Sequence, residues 1–74
     1  MVGYIEKAAR TGRKVNIIYV SQSGVMTKRV IRVFSYTDEK VVAYCYMRNE
    51  IRTFKRNNIL AIEWMFYEME AYAQ

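Results

Sequence analysis

From Val41 to Leu60 the chain reads as two short strands folded back on each other. Val41 to Met47 (VVAYCYM) is rich in β-branched and aromatic residues, which suit a pleated, half-buried surface. Ile51 to Arg56 (IRTFKR) alternates apolar and polar positions, and Arg48-Asn49-Glu50 is the reversal between the two runs. Side chains alternate with period two along a strand. A turn of two or four residues therefore places Ala43, Cys45 and Met47 on one face with Arg52 and Phe54. Tyr44, Tyr46, Thr53 and Lys55 then share the other face; a three-residue turn would scramble the two sets. Phe54 is expected in the core, and Ala43 and Cys45 with it. Arg52 has core-facing parity but sits near the turn, where its guanidinium can escape through the end of a small barrel.

The rest of the chain supplies a helix and three more strands. In Val2 to Arg10 (VGYIEKAAR), apolar positions at Val2, Ile5 and Ala9 have helical spacing, and Thr11-Gly12 follows as a stop. So short a helix must be held by packing, with Tyr4 and Ile5 as its anchors. Arg13 to Val20 is a first strand, with Val15, Ile17 and Tyr19 on one face. Ser21-Gln22-Ser23-Gly24 is a hairpin turn. Val25 to Phe34 is a long second strand whose two faces both mix apolar and basic residues, so periodicity does not choose the inner one. Ser35 to Lys40 is a polar connection. After the central hairpin, Asn57-Asn58 suits a single 3₁₀ turn, and Ile59 to Trp64 is a fifth strand. The last ten residues fit either a C-terminal helix or a sixth strand, with helical spacing the better match. The whole predicts a mainly β fold, one domain over residues 1–74: a small five-stranded SH3- or Sm-like barrel with a short N-terminal helix.

Composition narrows the function. The chain carries a net charge of +5, distributed unevenly. All 12 basic residues and four acids lie before residue 61, and three acids with no base lie after it. That pattern predicts a basic barrel surface with an acidic C-terminal segment. No apolar run approaches the ~20 residues of a membrane span, and the N-terminus lacks the apolar core of a signal peptide. The single cysteine makes no internal disulfide, so a reducing cytoplasm is the expected compartment.

Catalysis is not expected. There is no His, which removes the commonest general base and metal ligand. One Cys alone makes neither a zinc site nor a thiol triad. The acids are scattered, and neither a phosphate loop nor a dinucleotide fingerprint is present. No cofactor or metal is implied. Cys45 reads as an inert buried thiol; a redox sensor would need exposure and a lowered pKa.

Tyr19, Arg29, the run Val42-Ala43-Tyr44-Cys45, Arg48, Ile51-Arg52-Thr53-Phe54-Lys55 and Asn58-Ile59-Leu60 together resemble the WYL domain, most closely its short bacterial versions. The likeness runs roughly from Ile5 to Glu63. The tripeptide that names the family falls on Glu39-Lys40-Val41, where all three of its residues differ. The resemblance implies a regulatory, ligand-sensing module linked to transcription regulation, with a basic groove that takes single-stranded nucleic acid in some members. Arg29, Arg48 and Arg52 match the family's basic positions, and Tyr44 its aromatic position.

The residues themselves point the same way. Guanidinium forks bind phosphate bidentately, and tyrosine rings stack on unpaired bases. Lys55 and Arg56 join the set on charge alone. The expected site is thus Arg29, Tyr44, Arg48, Arg52, Lys55 and Arg56, with single-stranded nucleic acid or a nucleotide as partner. The competing expectation is a self-associating module, a homo-oligomer whose interface is built on Trp64 and Phe66, since aromatics are enriched in interface cores.

Overall fold

A computed structural model describes residues 2–65. Helix α1 (Val2–Thr11) is followed by strands β1 (Lys14–Val20), β2 (Met26–Tyr36), β3 (Lys40–Cys45) and β4 (Glu50–Lys55). A 3₁₀ turn (Arg56–Asn58) and strand β5 (Ile59–Trp64) complete the described chain. The expected element order therefore holds. Of the last ten residues, over which a C-terminal helix is expected, Met65 is buried and outside regular structure, and the other nine, Phe66 included, lie outside the described residues.

All five strands form one antiparallel sheet in the order β4-β3-β2-β1-β5. The sheet does not close: β4 and β5 are its two edges, and no ladder joins them. The expected barrel is thus corrected to a curled open sheet. The curl is still pronounced, because the Tyr19 ring of β1 meets Phe54 of β4 edge-on, with centroids 5.0 Å apart, across two intervening strands.

The concave face of the curl holds the core. Val15 and Ile17 of β1, Ile31 and Val33 of β2, Val41, Ala43 and Cys45 of β3, and Phe54 of β4 are all buried. Cross-strand register aligns them: Val15 faces Ile31, Ile31 faces Cys45, Val33 faces Ala43, and Val41 faces Phe54. Helix α1 closes one end of this core with Ile5 and Ala8, both buried. Tyr4, expected to anchor the helix, instead remains exposed and lays its ring 5.7 Å from that of Trp64. Gly12 ends the helix with φ +71° and donates its N–H to the Ala8 carbonyl at 3.0 Å. That left-handed conformation is one glycine adopts without penalty.

β2 resolves the face left open by its sequence. Thr27, Arg29, Ile31 and Val33 point into the concave side, because Ile31 and Val33 fall opposite core residues of β3. The register then shifts between Val33 and Ser35, so that Tyr36 falls opposite Val41. A β-bulge of this kind bends the strand and re-aims the residues beyond it.

Candidate anion-binding rim

At one end of the concave face the core gives way to polar groups, and four strands contribute. β1 ends at Tyr19, opposite Thr27 of β2. The Thr27 hydroxyl donates to the Tyr19 carbonyl at 3.5 Å and accepts the Arg29 Nε–H at 3.1 Å. Arg29 Nη1 lies 3.7 Å from the Cys45 sulfur at the end of β3. Cys45 faces Glu50, the first residue of β4, whose carboxylate is 3.8 Å from Arg52 Nη1. Arg52 faces Ala43 and therefore flanks Cys45 from the β4 side. The Tyr19 hydroxyl accepts the Lys55 backbone N–H at 3.5 Å, which ties β1 to β4 below the rim.

The turn 46–49 completes the arrangement. It is four residues long, one of the lengths for which the predicted face assignments hold, and Asn49 takes φ +54° within it. Backbone N–H groups of Arg48 and Met47 reach back to the Cys45 sulfur. Burial pushes the Cys45 thiol pKa up, but the Arg48 N–H, the Arg29 guanidinium and the Met47 N–H together bring it below its ordinary 9.0. The side chain has no exposed surface, so it remains the buried thiol expected from sequence, although not an electrostatically neutral one.

This shift has a testable consequence. A thiol more acidic in the folded state than in the unfolded chain stabilises the fold most fully above the unfolded value. Lowering the pH through the folded pKa removes that contribution. Stability should therefore climb with pH in the window just below 9.0 and level off above it. Chemical denaturation at a series of pH values should show the slope in the wild type and a loss of it in Cys45→Ala.

The predicted site residues divide into three groups. Arg29 and Arg52 point into the concave rim, and Arg48 lies in the turn beside it. Tyr44 and Lys55 have the opposite parity and lie on the convex face. Arg56 is committed to the fold: it is only 9% exposed, and its Nη1 donates to the Thr37 carbonyl at 2.7 Å. Its backbone N–H bonds the Glu39 carbonyl at 2.9 Å, and its guanidinium carbon lies 5.9 Å from the Tyr36 ring centroid. Arg56 therefore clamps the β2–β3 connection onto the 3₁₀ turn and has little reach toward a ligand. Trp64 is half-buried between Tyr4 and Arg13, whose guanidinium carbon sits 4.5 Å from the indole centroid.

Tyr44 lies off the rim, and the aromatic that shares the concave face is Tyr19, whose ring packs on Phe54. Its strand alternation with Val15 and Ile17 carried that signal, and only the side of β2 was needed to place it beside Arg29. Arg29 is half-buried, and among the described residues no carboxylate lies within ion-pair distance of it. Its donors are met by a hydroxyl and a sulfur, so a full positive charge is held on the rim without local neutralisation. Arg52 has a carboxylate nearby, but that pair is a third to a half exposed and its separation is long, which makes it a weak clamp. Among the described residues, no group of three or more Cys, Asp or Glu side chains is placed to hold a metal ion. No helix there is long and apolar enough to cross a membrane.

Fold and rim together define a small antiparallel β domain with one covering helix and an arginine-lined open end. No protein-family model matches the chain, and no curated protein matches it. Among solved structures, the chain is similar to proteasome accessory factor B/C (PafBC) of Arthrobacter aurescens, with a TM-score of 0.72 and 25% sequence identity. The match covers 86% of this chain and 11% of the PafBC chain, so this chain spans about a ninth of that protein's length. PafBC contains a WYL domain, and the likeness supports a WYL-like fold here.

Proposed function

We propose that this chain is a non-catalytic regulatory module whose concave rim binds single-stranded nucleic acid or nucleotide phosphates. One observation carries the reading: Arg29, with no carboxylate in ion-pair distance among the described residues, holds its charge at the same open end as Arg52 and Arg48. A guanidinium in that setting takes a phosphate through charge-assisted hydrogen bonds. Glu50 then acts as a placeholder on Arg52, displaced when a ligand phosphate arrives. The likeness to PafBC is consistent with a regulatory role.

Fluorescence anisotropy with a labelled nucleotide and a labelled single strand tests this, at two salt concentrations. Arg29→Ala with Arg52→Ala should weaken nucleotide binding at least tenfold, and Glu50→Gln should strengthen it severalfold. Binding should weaken as salt rises, because each phosphate contact releases counterions. Nucleotide affinity unchanged in the folded double variant would remove the rim from consideration.

A second reading, self-association, is favoured by the open edges. Among the described residues, β4 and β5 each have a side with no partner strand, and Leu60 on β5 is exposed. Exposed edges of this kind are templates for strand pairing. Light scattering over a concentration series should show mass growth that Leu60→Lys suppresses, if pairing occurs.

A further inference from the structure

The concave rim leaves Tyr44 and Lys55 unused, and the face they occupy has a character of its own. Cross-strand register places Ile51, Tyr44, Arg32 and Lys14 in one row across four strands of the convex face. Tyr46 continues that face: its ring lies 4.9 Å from that of Tyr44, edge to face, and Lys14 Nζ sits 4.7 Å from its centroid. Helix α1 spends its apolar residues on the concave core, and none of the described elements crosses this row.

The electrostatics of the face are lopsided. By parity it carries Lys28, Arg32, Lys40 and Lys55, with Lys14 already engaged over the Tyr46 ring, and Glu63 is the one carboxylate on that face among the described strand residues. Lys40 and Lys55 stand directly opposite each other across β3 and β4, and no carboxylate among the described residues reaches ion-pair distance of either. Glu39 lines the same cleft. Like charges facing across a ladder destabilise a sheet, and an anion relieves that cost.

The spacing selects the kind of anion. Lys28 and Arg32 are four residues apart on one face of β2, which is roughly 13 Å at a strand's rise per residue. One phosphate cannot serve both, so the matching ligand carries a line of phosphates. The tyrosine pair on the β3 side of those cations, with exposed Ile51 beyond it on β4, offers apolar and ring surface suited to unpaired bases. We propose that the convex face is a second contact surface, separate from the rim, for the body of a single nucleic-acid strand. Tyr44 and Tyr46 bear bases, and Lys28 and Arg32 bear the backbone on either side.

The test uses the full chain, a labelled twelve-nucleotide oligo-dT and a labelled mononucleotide. Lys28→Glu with Arg32→Glu should weaken the twelve-mer at least tenfold and leave the mononucleotide unchanged. The double neutral variant Lys28→Gln with Arg32→Gln should reduce the slope of log K against log salt by about 1.4, at about 0.7 per lost phosphate contact on a single strand. Tyr44→Leu, which keeps bulk but loses the ring, should weaken the twelve-mer by about tenfold. Circular dichroism confirms that each variant is folded.

Unchanged twelve-mer affinity in the charge-reversed variant overturns the proposal, whatever the rim does. So does a wild-type protein that fails to bind the twelve-mer. Equal competition by a poly-glutamate peptide, with Tyr44→Leu silent, would reduce the face to a general cationic surface and also overturn it. Loss of mononucleotide binding only in Arg29→Ala with Arg52→Ala would support the rim, and that result stands or falls separately.

Discussion

Replacing Phe54 with alanine removes a large share of the domain's stability. The ring is 1% exposed, sits opposite Val41 and packs edge-on against Tyr19. A buried Phe→Ala change costs about 3–5 kcal/mol through lost transfer energy and the cavity left behind. A chain of 74 residues has roughly 4–11 kcal/mol of stability in total. The deficit should lower Tm by upwards of about 12 °C for a domain of this size. Thermal melts followed by circular dichroism would show it. Phe54→Leu, which keeps most of the volume, should cost less than half as much.

Phe54 matters beyond bulk because it joins strands that share no ladder. β1 and β4 are separated in the sheet by β2 and β3, yet Tyr19 and Phe54 touch, and the Tyr19 hydroxyl accepts from Lys55. The curl that brings Arg29 and Arg52 to one end therefore depends on this contact. Destabilising it should loosen the rim before the rest of the core, since α1 seals the opposite end with Ile5 and Ala8. Hydrogen exchange should find the β4 amides less protected than those of β1 in Phe54→Leu.

Much of this geometry was readable in the residues of the central hairpin. The alternation of Ala43, Cys45, Arg52 and Phe54 against Tyr44, Thr53 and Lys55 follows from period two, and the four-residue turn preserves it. The same alternation already set Arg52 and Tyr44 on different faces, so one site holding both was never geometrically available. β2 was less legible. Arg29 and Ile31 share a face, as do Lys28 and Val30, so burial could not be assigned until a partner strand supplied register. The bulge between Val33 and Ser35 leaves no mark in composition, because it is a property of pairing. Barrel closure was equally out of reach: it depends on how far five strands curl, which no single strand's pattern encodes.

Arg56 shows how charge alone misleads. In sequence it extends the basic run Lys55-Arg56 and suggests a ligand contact. In the fold it is the one buried charged residue among those described, satisfied by the Thr37 carbonyl at 2.7 Å and set beside the Tyr36 ring. Hydrogen bonds from charged groups contribute about 1.5–3 kcal/mol. Thr37 is exposed, so water can replace the guanidinium there, and the lower end of that range applies. Arg56→Met keeps the aliphatic stem and loses the fork, so it should cost about 1.5 kcal/mol. That corresponds to a fall in Tm of roughly 6–12 °C. Measured well below the new midpoint, its affinity for nucleotide or oligo-dT should match the wild type. Arg29→Met should do the reverse, weakening nucleotide binding while moving Tm far less, because its partners are a hydroxyl and a thiol already served by other groups. If Arg56→Met loses binding without losing stability, the residue belongs to the ligand surface, and the clamp on the β2–β3 connection is incidental.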